Sequence, residues 1–351
     1  MRFRLPERLS LVDLILWGLR VAIVVFVAVG TYATLSKGTL EGSDWRDLVV
    51  YGIAQGSVYA LIALGYTLVY GVLFMINFAH GDVFMAGAMT AYFVAAYFGD
   101  SGFLNENVVV ALAVIFAVSM LTSMVVAVVL ERIAYRPLRR APRLVPLITA
   151  IGASLFISNS VRGLYGDGNL TYPTIDALRG RIDVLGIPIL KTQAIVIVGA
   201  LLFMFALYWF VERTRTGRAM RAVSEDKDTA ALMGINVDRI IVTTFAVGGL
   251  LAGAAGILYA LVFTQVRWTI GFLPGIKAFT AAVLGGIGNI FGAMLGGLSL
   301  GVLESVGPYL LLSGFDVPSP NQLRDVVAFG VLVLVLIFRP NGILGRAEGS
   351  N

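Results

Sequence analysis

Apolar residues run along this chain in ten long blocks, at roughly 12–34, 48–70, 80–98, 108–130, 144–163, 192–211, 240–263, 273–288, 290–312 and 324–338, separated by short charged stretches. A helix needs about 20 apolar residues to cross the ~30 Å hydrocarbon core of a bilayer, whereas a barrel strand needs about 10 that alternate. The blocks therefore predict an all-α fold, a polytopic membrane bundle of about ten spans. We read it as one domain over 1–351, with a first half at about 12–163 and a second at about 192–338. The pieces 131–143, 164–191 and 212–239 are the only sizeable hydrophilic segments.

Composition sharpens this picture. The 351 residues are 58% apolar and 13% charged, with mean hydropathy +0.88, which excludes an ordinary water-soluble enzyme. The net charge of +5 traces to particular loops and argues topology before nucleic acid. With both termini inside, sixteen Lys and Arg fall in cytoplasmic segments and seven outside, a positive-inside bias. The start Met1-Arg2-Phe3-Arg4 precedes an apolar run interrupted by Asp13 and Arg20, so it reads as a retained first helix, not a secretory signal. No cysteine and one histidine exclude thiol chemistry and a His-cluster metal site, so metal ligands are expected to be none. No Walker, HExxH or GxSxG pattern occurs. An enzyme reading has no catalytic cluster, and catalytic residues are expected to be none.

Two blocks recur at nearly one offset. Tyr66-Thr67-Leu68-Val69-Tyr70 returns as Tyr259-Ala260-Leu261-Val262-Phe263, and Ile76-Asn77-Phe78-Ala79-His80-Gly81 returns as Ile270-Gly271-Phe272-Leu273-Pro274-Gly275. With the first copy descending and the second ascending, they suggest an inverted repeat of five helices each, the architecture of many transporters; chance similarity of two apolar, glycine-containing stretches is the alternative.

The pathway or gate candidates sit in these blocks: Asn77, His80, Gly81 and Asp82 in the first, Gly275 and Lys277 in the second. Asp82 is expected to begin a helix, where a carboxylate complements the positive dipole end. The competing readings are a capped helix start at the cytoplasmic rim, with His80 a satisfied rim residue, and direct participation in the path. The segment 275–288 would cover only about 21 Å as a helix and so is short, broken or re-entrant. Lys277 either snorkels to the outer interface or places a cation near the path. Glu304 and Asn159 read as interhelical hydrogen-bonding groups.

In the loop 212–239, Ser224 suits an N-cap, Glu225 and Asp226 a first turn, and Gly234 a stop, which predicts an amphipathic helix at about 225–233. Ala230, Leu232 and Met233 would fill a groove on another protein; a helix lying on lipid headgroups is the alternative.

Gly56-Ser57-Val58-Tyr59-Ala60-Leu61, Ile76-Asn77-Phe78-Ala79-His80-Gly81-Asp82, the string Glu131 to Arg139, the Gly217 to Ile235 loop and Leu284-Gly285-Gly286-Ile287-Gly288 together resemble the LivH-type permease subunits of branched-chain amino acid ABC importers, over about 48–345. The resemblance implies a multi-pass subunit of the bacterial inner membrane, itself no enzyme and without a bound cofactor. It further implies a second homologous permease, two cytoplasmic ATPases carrying ATP and Mg, and an extracytoplasmic substrate-binding protein. By position, the ATPase-coupling helix would comprise Glu225, Asp226, Ala230, Ala231, Leu232, Met233 and Gly234. Urea and short-amide importers share this permease type. An ion-coupled secondary transporter using Asp82, Lys277 and Glu304 remains a further alternative.

Overall fold

Helix starts are set by side chains that accept the free amide groups of a first turn. The computed structural model describes residues 11–139, 141–142, 144–184, 186–339 and 341–345, the side chains of 11–13 excepted. The basic N-terminal stretch 1–10, Arg140, Arg143 and the tail from 346 lie outside the described residues. The helices are α1 (Leu11–Lys37), α2 (Gly42–Leu73), α3 (His80–Asp100), the single turn α4 (Phe103–Glu106), α5 (Val108–Leu130), α6 (Leu144–Tyr165), α7 (Lys191–Arg213), α8 (Arg215–Glu225), α9 (Lys227–Leu232), α10 (Val237–Phe263), α11 (Phe272–Gly285), α12 (Ile290–Leu312) and α13 (Arg324–Phe338). Asn236 caps α10 through the Arg239 amide at 2.9 Å, and Asn289 caps α12 through the Gly292 amide at 3.1 Å. Among the described residues, nine helical segments are long and apolar enough to cross a membrane, and α11 is apolar but only 14 residues long. The expectation of a short segment there holds, with the helix beginning at Phe272.

Strands were not expected. Leu170–Thr171 (β1) pairs with Gln265–Val266 (β4), and Arg181–Val184 (β2) forms an antiparallel hairpin with Ile187–Leu190 (β3). The loop 164–191 is therefore partly structured. Its strands are too short and exposed to carry a hydrophobic face, so hydropathy did not betray them.

α2 and α10 form the centre. α2 packs along α12, where Gly52 and Gly56 lie against Gly301 and Gly297; a methyl on Gly56 would come within 2.8 Å of the Gly297 carbonyl. α10 packs in the same manner along α5, where a methyl on Gly249 would come within 2.7 Å of the Ser123 carbonyl. Backbones in close contact let the few polar side chains bridge helices: Ser119 donates to the Gly253 carbonyl at 2.7 Å, Ser123 to that of Val83 at 2.9 Å and Ser305 to that of Leu48 at 2.7 Å. Both central helices end on a non-glycine residue in the left-handed region, Phe74 (φ 57°) and Thr264 (φ 58°). Each end closes with an amide bonded four residues back, to Tyr70 at 2.7 Å and to Ala260 at 2.8 Å. After each end the chain crosses a short irregular linker and starts a new helix, α3 or α11. The most exposed long helices are α1, α5, α6, α7 and α13, whose apolar faces look outward as a lipid-embedded bundle requires.

Candidate functional site

The starts of α3 and α11 meet inside the bundle. A methyl built on Gly81 would lie 3.0 Å from the Cα of Gly275, and one on Gly275 would lie 3.1 Å from the Cα of Gly81. These are the glycines equivalent in the internal repetition. Only hydrogen at both positions lets the two helix starts touch.

Around this contact the polar candidates are enclosed. Asn77, His80 and Asp82 are all buried, covered by α6, α10 and α11, so His80 is not an exposed residue. Asp82 is the third residue of α3. Its Oδ2 accepts the Ser154 hydroxyl of α6 at 2.5 Å, and its Oδ1 is the nearest atom to a methyl built on Gly271, which precedes α11. One carboxyl group thus faces the positive ends of two helices, a favourable placement for negative charge. His80 sets its ring edge-on to Tyr66 at 4.9 Å, and Tyr66 in turn meets Phe279 of α11 at 6.0 Å. The His80 Nε2 and the Tyr66 hydroxyl have no hydrogen-bond partner among the described residues. Asn77 accepts the Tyr135 hydroxyl at 2.9 Å.

Lys277 does not snorkel. It is 5% exposed, and its Nζ lies 2.5 Å from Glu304 on α12 and 2.6 Å from Asp325 on α13, with Arg324 3.9 Å from each carboxylate. Its cation also stands 5.9 Å from the centre of the Tyr59 ring. The reason is geometric. Two carboxylates on neighbouring helices lie within ion-pair distance of Nζ, and a buried charge is tolerated when paired. Glu304 is therefore the interhelical group expected of it, as an ion-pair partner. Asn159 is not: it is exposed on α6, and its amide donates to Leu155 of its own helix at 2.8 Å.

The segment between α7 and α10 differs from the expected single helix. α8 runs through Glu225, and the break falls at Asp226, which caps α9; Ser224 instead bonds back to the Arg221 carbonyl at 2.7 Å inside α8. Asp226 won because its extended backbone aims the carboxylate at two amides at once, Asp228 at 2.8 Å and Thr229 at 3.0 Å. Those contacts, the Thr229 amide first, hold the Asp226 carboxyl below its ordinary range. Lys227 is pushed below the usual lysine value by partial burial and then by the neighbouring Arg139 charge. Gly234 stops the segment at φ 84°. Ala230 is buried against the bundle, which corrects its assignment to an outward groove-filling face, whereas Ala231 is exposed and Leu232 and Met233 are 89% and 79% exposed.

Sequence reasoning missed Tyr66, Tyr135, Ser154 and Asp325. The first three lie in or beside apolar runs and look like ordinary interhelical residues until the tertiary partner is known. Asp325 carried a signal, as an acid at the start of a span.

A buried meeting of helix starts within a bundle of spanning-length helices defines a polytopic membrane protein, and among the described residues no group of three or more His, Cys, Asp or Glu could hold a metal. The class narrows on comparison with known proteins. The chain belongs to the family described as "Branched-chain amino acid transport system / permease component", whose model matches residues 48–336. It is 45% identical to the high-affinity branched-chain amino acid transport system permease protein BraD of Pseudomonas aeruginosa, over 86% of this chain and 95% of that one. It is 41% identical to LivH of Escherichia coli K12, over 85% and 94%. A more distant relative, the autoinducer 2 import system permease protein LsrC of Yersinia pestis, is 30% identical over 47% of this chain and 46% of that protein.

Proposed function

We propose that this chain is the membrane-spanning permease subunit of an ATP-driven ABC importer of the bacterial inner membrane, passing branched-chain aliphatic amino acids by alternating access. In this reading it pairs with a second permease, docks two cytoplasmic ATPases that bind ATP and Mg, and receives substrate from an extracytoplasmic binding protein. It binds no cofactor itself.

The observation that carries the reading is the tip of α9. Leu232 and Met233 are large, apolar and exposed, at the end of a short helix that Asp226 caps and whose Ala230 is buried. They stand in the connecting segment 212–239, which holds six Lys and Arg and which positive-inside bias puts in the cytoplasm. Such a pair favours an apolar groove on a partner protein, and the acids Asp226 and Asp228 beside it disfavour anionic lipid. The repeated left-handed helix ends and the Gly81 to Gly275 contact support ten spans in two inverted halves, with rocking about that contact. A secondary transporter would use Asp82, Lys277 and Glu304 as coupling groups; here Lys277 and Glu304 are paired with each other. The substrate follows from the relatives' names.

The test is ATP-dependent leucine uptake in vesicles holding the chain with its co-purified partners. Leu232→Asp should abolish uptake while the chain remains in the membrane. Unchanged uptake, or uptake by this chain alone without ATPases, overturns the reading.

A further inference from the structure

The segment after α5 widens into a π-turn over Glu131–Tyr135 and then tightens into a 3-10 turn over Arg136–Leu138. Such local departures from α geometry mark places where a helix is held to a purpose other than its own continuation. Here Glu131 and Tyr135 both turn inward and are buried, while Arg132 and Ile133 between them are exposed. Glu131 pairs with Arg139, and Arg139 and Arg136 both reach Asp238 in the first turn of α10, the latter at 3.2 Å. The Tyr135 ring lies 5.4 Å from that of Phe245 on α10. The turn is thereby clamped to the second half of the chain.

Its hydroxyl points the other way, to Asn77 in the linker 74–79. That linker begins at the left-handed Phe74, whose ring lies 5.9 Å from the Lys227 ammonium at the base of α9. It leads into the start of α3, where Gly81 lies against Gly275 of α11. One short stretch of chain is therefore touched at its start by the α9 segment, in its middle by the π-turn and at its end by the helix junction.

Resting on the importer reading above, we infer that Tyr135 is a positioning residue for coupling: it ties the linker 74–79 to the clamped π-turn, so that displacement of α9 moves the start of α3 instead of being absorbed in the linker. Apolar packing alone would hold the linker in place but let it slide. A hydrogen bond between two buried side chains weakens steeply with small changes of distance and angle, and so fixes Asn77 to one position of the turn. Coupling of this kind is established by measuring it, not by adjacency.

Tyr135→Phe keeps the ring against Phe245 and removes one oxygen. In the assembled transporter in proteoliposomes, leucine moved per ATP hydrolysed should fall about fivefold, the size expected of one lost hydrogen bond, with hydrolysis close to wild type and the melting temperature lowered only modestly, by the one buried Asn77 oxygen left without its donor. An unchanged ratio, or uptake and hydrolysis falling in parallel, overturns the inference. Should that variant not accumulate, Phe74→Gly serves: the left-handed backbone accepts glycine without strain, and loss of the ring from Lys227 should lower the same ratio, an unchanged ratio again overturning it. Failure of the wild-type assembly to couple uptake to ATP instead refutes the importer reading on which the inference rests.

Discussion

Two outer helices are fastened to the bundle in different ways. α6 is held to α3 through a hydroxyl, Ser154 to Asp82, whereas α13 is held to α11 through charge, Asp325 to Lys277, with Glu304 completing the pair. Both anchors stand on a helix that follows a left-handed end, Asp82 on α3 and Lys277 on α11. The helices themselves differ in length: α3 has 21 residues, twelve of them buried, while α11 has 14, ten of them buried. An ion pair adds little net stability over apolar contact, but it makes one register of α11, α12 and α13 strongly preferred, since any other leaves a charge unpaired.

The sharpest way to break this comparison is Lys277→Met. It leaves Glu304, 1% exposed, with only the more distant Arg324 at 3.9 Å and should cost about 3–5 kcal/mol, read as thermal unfolding in detergent. Lys277→Met/Glu304→Leu should recover most of that loss; no recovery would mean that the lysine stem, not the charge, does the fastening. Ser154→Ala should cost less, about 1–3 kcal/mol, because one buried oxygen loses its partner. If Ser154→Ala proves as damaging as Lys277→Met, the two fastenings are not distinct in kind. The smallest effect lies away from both fastenings. The folded Asp226 carboxyl is held below its ordinary value of 3.8, so its support of α9 is complete above that value and is lost as pH falls through the lowered one. Protection of the Asp228 and Thr229 amides against exchange should hold from neutral pH to the ordinary carboxylate range and fall below it. Asp226→Ala should abolish this dependence while leaving the junctions untouched.

Much of the architecture was legible because membrane burial writes itself into composition. Each apolar block coincides with a helix, and the short block near 275 coincides with the short α11. Glycine repetition pointed to Gly81 and Gly275, which do meet. What hydropathy could not carry was direction. Whether Lys277 reaches outward or inward depends on carboxylates that lie 27 and 48 positions further on in Glu304 and Asp325. Whether Asn159 faces a neighbour or the surround depends on the rotation of α6. The placement of the α9 cap was decided by backbone conformation at Asp226, which Ser224 matched equally well by residue type. The β-hairpin was hidden because alternation over four residues is too brief to stand out.

The pairing of α2 with α12 has a bearing on how the protein is made. Ser305 reaches the Leu48 carbonyl across 257 residues of sequence. At synthesis rates of roughly 5–20 residues per second, α2 waits on the order of ten to fifty seconds for the helix that covers it. During that interval its glycine face and the side chain of Gln55 meet lipid or a transient companion. The newborn chain is therefore most vulnerable to misassembly before translation reaches α12, and a ribosome arrested short of it would leave the best-buried helix of the mature protein with its principal contact missing.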